Sequence, residues 1–172
     1  MTTVLPACFG NGVKILCVAY SEASNEASND ASNDASSVVR YIPIEKIKVG
    51  DIVRTYMQGD RAVKYIGKKT ITNDVSNWRK SMYRCKSNPE LLLTGINSVF
   101  FDKAVVNYHT HVFSKYGVFA ANSDEFAQIQ TDYEYDIYKL SLEVHENEKN
   151  GSFIVRANDF FVELNNNLNF EI

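Results

Sequence analysis

From residue 13 to residue 164 the chain is a succession of short apolar, β-branched runs, each stopped by glycine, asparagine, aspartate or serine. The first is Val13–Tyr20, VKILCVAY, with Gly12 in front and serines behind. No long segment keeps the recurrence of about 3.6 residues that an amphipathic helix needs. β-Branched and aromatic residues suit a pleated surface, while Gly, Asn and Asp supply the turns between strands. The pattern predicts an all-β domain.

Along the chain, VVRYIPIEKIKVGDIVRTY (Val38–Tyr56) reads as two strands around Gly50-Asp51, with one short helical turn at Ile44–Ile47. Arg61–Thr72 reads as a strand pair or a bent ribbon, and Ser81–Cys85 as a short strand. ELLLTGINSVFF, Glu90–Phe101, sets two strands on either side of Thr94-Gly95, and residues 102–115 are ambiguous. Tyr116–Asn122, Asp136–Val144 and Ser152–Leu164 close the chain as strands. The last is a hairpin about Asn158-Asp159, two residues that tolerate positive φ. One segment breaks the pattern. Ser21–Ser37, SEASNEASNDASNDASS, repeats Ala-Ser-Asn every four residues and offers nothing to bury. Its Ser, Asn and Asp side chains compete with helical hydrogen bonds, so it is expected as a solvated loop between strands. No linker divides the chain, which predicts one domain over 1–172 with a tail at 164–172.

Hydrophobic residues make up 45% of the 172 and charged residues 23%, enough for a real core. The net charge is -3 and Lys and Arg form no stripe, which argues against a dedicated nucleic-acid binder. No run approaches the ~18 apolar residues of a membrane span. The start MTTVLPACFG lacks a basic stretch followed by an apolar one, so neither a membrane anchor nor a secretory signal is expected. Three cysteines, Cys8, Cys17 and Cys85, include no C-x-x-C pair and predict no disulfide framework.

Cys8 sits just before a glycine turn, in LPACFGNG, and is either an early core thiol or a nucleophile aimed at the peptide bond behind it. Cys17 and Cys85 read as core. His109 and His111 would share one face of a strand, a spacing that can chelate zinc, with His145 or a carboxylate as a third ligand; solvent-facing histidines are the default. Asp102 is a candidate base or a turn residue, and Trp78 a packed loop residue or an exposed contact. No cofactor motif is present.

Four stretches taken in order resemble the Hint domains shared by Hedgehog autoprocessing proteins and inteins. They are CFGNGVKI (Cys8–Ile15), YIPIEKIKVGDIVRTY (Tyr41–Tyr56), LLLTGINSVFF (Leu91–Phe101), and the closing YKLSLEV and FIVRANDFFVEL. The likeness runs from Cys8 to about Glu163 and is greatest to the Hint-like proteins of large DNA viruses infecting amoebae. It implies a horseshoe of many short strands in two pseudo-symmetric halves, with the cysteine buried near the centre.

The resemblance also implies a chemistry. In a working Hint domain the cysteine thiolate attacks the preceding carbonyl, here that of Ala7, and turns an amide into a thioester. A Thr-x-x-His block contacts the scissile amide, and its histidine protonates the departing nitrogen. Thr94 falls on the threonine, but Asn97 falls on the histidine position. An asparagine amide cannot give up a proton near neutral pH, and general acid–base help is typically worth ~10²–10⁴-fold. The closing His-Asn pair of inteins is also missing. Asn165–Asn167 have no adjoining histidine, which excludes splicing. Two expectations follow. The first is a degenerate Hint module with a structural or interaction role, binding other proteins such as capsid or virion components, and located in the virion or host cytoplasm. The second is a cysteine-dependent self-cleaving domain acting at Ala7–Cys8 through a thioester.

Overall fold

A computed structural model of the protein describes residues 6–20, 37–100, 117–145 and 152–166. The strands are β1 (Phe9–Gly10), β2 (Lys14–Tyr20), β3 (Ser37–Pro43), β4 (Ile52–Arg54), β5 (Asp60–Thr72), β6 (Met82–Cys85) and β7 (Leu92–Thr94). After them come β8 (Ser98–Phe100), β9 (Val118–Phe119), β10 (Phe126–Gln128), β11 (Glu134–Leu142), β12 (Ser152–Ala157) and β13 (Phe160–Asn165). The only helical pieces among the described residues are 3-10 turns at Ile44–Lys46, Trp78–Lys80 and Ala120–Asn122. None is long enough to cross a membrane. The all-β expectation holds.

Every pairing is antiparallel and all strands join one sheet, in the order β10-β6-β7-β1-β11-β5-β4-β2-β12-β13-β8-β9, with β3 on β2. The two ends of this path, β9 and β10, are consecutive in the chain. Laid flat at ~4.8 Å per strand, the path would set its ends roughly 50 Å apart. The chain from Phe119 to Phe126 can span at most ~25 Å. The sheet must therefore curl back on itself, as a horseshoe does. β5 is the joint. Asp60–Ala62 pair with β4, while Val63–Thr72 pair with β11. The register shift at Ser141/Leu142 is a bulge, the usual device for bending such a ribbon.

The inside of the curl is apolar. Phe9, Ile15, Met82, Leu91, Leu93, Ile137, Leu140, Leu142 and Phe153 are fully buried in a single cluster that also holds all three cysteines. From Ile137 onward β11 is buried on both faces. Two polar residues, Lys139 and Ser141, lie inside that run.

Several local expectations are refined. Arg61–Thr72 is one continuous strand and not a pair. The strands flanking Gly50 do not pair with each other, since β3 and β4 lie on opposite edges of β2. The strand expected over 116–122 is corrected to a two-residue β9 followed by a 3-10 turn. The cause is tertiary: Ala120 and Ala121 donate their N–H groups to the carbonyls of Asn97 (2.9 Å) and Gly95 (3.2 Å). Order also continues into the expected tail. Leu164 is buried, Asn165 ends β13, and the Asn166 side chain brackets the Leu142 backbone, accepting from its N–H at 3.0 Å. Asn158 and Asp159 have φ of 46° and 70°, as the closing hairpin requires.

Candidate active site

Strand β1 lies between β7 and β11, with Phe9 opposite both Leu93 and Tyr138. Continuing these registers by one residue puts Cys8 between Thr94 on β7 and Lys139 on β11. The Thr94 N–H donates to the Cys8 carbonyl at 3.1 Å, which confirms the first of these neighbours. Directly opposed residues share a face of the sheet. The sheet thus sets a hydroxyl, a thiol and an amine in one row.

Between β7 and β8 the chain makes a tight turn, closed by the Asn97 N–H to the Thr94 carbonyl at 3.0 Å. The turn is gripped from outside as well. The Gly95 N–H donates to the Ser81 carbonyl at 3.1 Å, and Ala120 and Ala121 bond it on the other side. Gly95 is needed for this close approach, because a Cβ there would meet the Trp78 carbonyl oxygen.

The turn aims two side chains at one atom. The Cys8 N–H donates to Thr94 Oγ1 at 3.0 Å and to Asn97 Oδ1 at 3.1 Å. This N–H belongs to the Ala7–Cys8 peptide bond, the bond singled out from the sequence. Thr94 Oγ1 lies 3.0 Å from the Pro6 carbonyl and 2.8 Å from Asn97 Oδ1. A hydroxyl has one proton, so it serves one of these acceptors at a time. Asn97 Nδ2 is buried and has no hydrogen-bond partner among the described residues. A buried donor in that state costs about 1–3 kcal/mol, a departure from stable packing that marks the residue. Cys8, Thr94 and Asn97 are all at 0% exposure.

Burial governs the electrostatics. It pushes the Cys8 thiol up to about 12, and the nearby Lys139 ammonium offsets only part of that rise. Burial also holds Lys139 below its ordinary value, with Cys8 acting the other way. At neutral pH Cys8 is a thiol and not the thiolate that attacks carbonyls. A cleft of about 430 Å³ opens beside the site, lined by Pro6, Ala7, Trp78, Lys139, Glu163 and Asn165 among others. Solvent therefore approaches the Ala7 side of the bond while the sulfur stays sealed.

The structure brings together Ala7, Cys8, Thr94 and Asn97, all named from the sequence. Lys139 was missed. The signal was available, since a lysine inside the apolar alternation of YKLSLEV sits where a strand is buried on both faces. His109, His111 and Asp102 lie outside the described residues. Among those described, no group of His, Cys, Asp and Glu is arranged to hold a metal ion. All three cysteines are free. Cys17 is core, and the Cys85 sulfur faces Ser87 Oγ at 3.4 Å. Trp78 is 37% exposed, with the Arg79 guanidinium 5.1 Å from its ring centre.

No protein-family model matches the chain, and no curated protein matches it. The likeness to Hint domains therefore rests on the quoted motifs.

Proposed function

We propose that the chain is a Hint-like module whose autoprocessing centre is assembled but arrested, and that it serves as a structural or interaction module with Ala7–Cys8 intact. One observation carries this reading: both side chains at the Cys8 amide nitrogen accept its hydrogen, and neither supplies it with a proton. Amide cleavage requires that nitrogen to leave as an amine, so it needs an acid where Asn97 presents an acceptor oxygen. The sealed, protonated thiol supports the same conclusion. The particular role of a minor component of a large DNA virus particle comes from the sequence resemblance alone.

A second reading, slow cysteine-dependent self-cleavage at Ala7–Cys8, is favoured by the convergence of Thr94 and Asn97 on the scissile amide. One experiment separates the two. A reporter domain is fused upstream of Met1, the fusion is incubated with hydroxylamine or a small thiol, and the products are weighed by intact mass. The arrested centre predicts the uncut fusion. Release of the reporter that disappears in Cys8→Ala establishes self-cleavage instead.

A further inference from the structure

Strand β3 pairs with β2, and among the described residues its other edge has no strand partner. Ladder parity shows what that edge offers. The Ile44 N–H donates to the Val13 carbonyl at 2.8 Å, and the Asn158 N–H donates to the Lys14 carbonyl at 2.9 Å. Val13 thus faces the β3 side and Lys14 the other. By alternation Ile15, Cys17 and Ala19 turn their backbone groups to β3, where they meet Ile42, Arg40 and Val38. The remaining residues, Ser37, Val39 and Tyr41, point N–H and C=O outward. Pro43 ends the row of donors.

The flanks of this edge are apolar and its base is cationic. Val38 and Val39 are 56% and 44% exposed, one on each face of the strand. Arg40, Lys46 and Lys48 line a cleft of about 440 Å³ with Tyr41 and Pro43, against one carboxylate, Asp51. That carboxylate already accepts the Lys48 backbone N–H at 2.8 Å. A positive cluster of this kind stands out in a chain of net charge -3.

An edge of free backbone groups between apolar side chains is a template for strand addition, and nearby charge selects the strand that adds. We propose that the β3 edge takes an extended segment of another protein in which apolar residues alternate with glutamate or aspartate. Its backbone pairs with Ser37, Val39 and Tyr41, and its carboxylates lie over Arg40, Lys46 and Lys48. A second copy of this chain is the weaker occupant, because antiparallel self-pairing sets two Arg40 side chains along one seam. The proposal does not depend on whether Ala7–Cys8 is cut, so the two readings fail separately.

The test is titration of the 172-residue protein with a short capped peptide alternating glutamate and valine, followed by amide chemical shifts. A peptide alternating lysine and valine is the control. The expected result is saturable binding with shifts centred on Ser37–Tyr41, and none with the control. Val39→Pro removes an outward N–H that the β2 ladder does not use, so it abolishes binding while the rest of the spectrum is retained. The double variant Lys46→Glu/Lys48→Glu weakens binding roughly tenfold without touching the strand. Absence of binding, equal binding of the lysine peptide, shifts elsewhere, or an unaffected double variant overturns the proposal. So does a concentration-dependent dimer that Val39→Pro dissociates, which would make the second copy the occupant.

Discussion

The N–H of Cys8 is held by two oxygens, Thr94 Oγ1 and Asn97 Oδ1, at the bond that the proposed reading leaves intact. Such contacts stabilise the intact amide. Thr94→Val keeps the shape of the side chain and removes one acceptor and one donor from a buried site. It should lower the unfolding free energy by about 1–2 kcal/mol, read from urea denaturation. The thiols make a second prediction. Cys8 and Cys17 each have an ordinary value of 9.0 and are pushed up to about 12 in the fold, mainly by burial. The folded chain therefore holds these protons more tightly than the unfolded chain. Their contribution is complete below about pH 9 and is lost as pH rises toward 12, at up to ~1.4 kcal/mol per pH unit for each thiol. Lys139, held below its ordinary value, has the opposite slope. Urea midpoints measured upward from about pH 8.5 should fall in the wild type and fall less steeply in Cys8→Ala.

Among the elements, those governed by local chemistry were legible in the sequence. The hairpin about Asn158-Asp159 was readable because few residues accept its positive φ, and the turn at Ile44 because Pro43 and the apolar run ended the strand. The 3-10 turn at Ala120–Asn122 was not, since its bonds go to Gly95 and Asn97, more than twenty residues away. Lys139 stood out locally as a lysine in an apolar run, but what sets it beside Cys8 is the pairing of β11 with β1, which no local pattern announces. The Asn158 hairpin also shows how a turn fastens distant parts. Asn158 Oδ1 accepts the Lys14 N–H at 2.6 Å, and its carbonyl accepts Asn88 Nδ2 at 3.0 Å. Asn158→Ala should cost about 2–3 kcal/mol, combining φ strain with a lost hydrogen bond to a buried strand. Asn158→Gly removes the same bond without the strain, so it should cost less. Equal losses in the two variants would exclude the strain.

For the whole molecule, the curl of the sheet does what no element does alone. It carries β7 and β11 to the two sides of β1, and it brings the turn after β9 onto the turn that bears Asn97. The all-β class was legible because alternation and turn residues repeat along the entire chain. The closure was not, because it depends on strand order, and strand order is a matter of long-range pairing. In the proposed reading the curl assembles an arrested processing centre, and position 97 is where that reading is tested. The most direct measurement is cleavage at Ala7–Cys8 in an upstream reporter fusion, followed by intact mass with and without Asn97→His. A buried histidine adds volume and costs about 1–3 kcal/mol in packing, so circular dichroism is recorded first to establish that the variant is folded. An arrested centre predicts an uncut wild-type fusion and release of the reporter by the folded Asn97→His protein, abolished in Cys8→Ala. Cys8-dependent release from the wild type, or a folded Asn97→His protein that releases nothing, would contradict it.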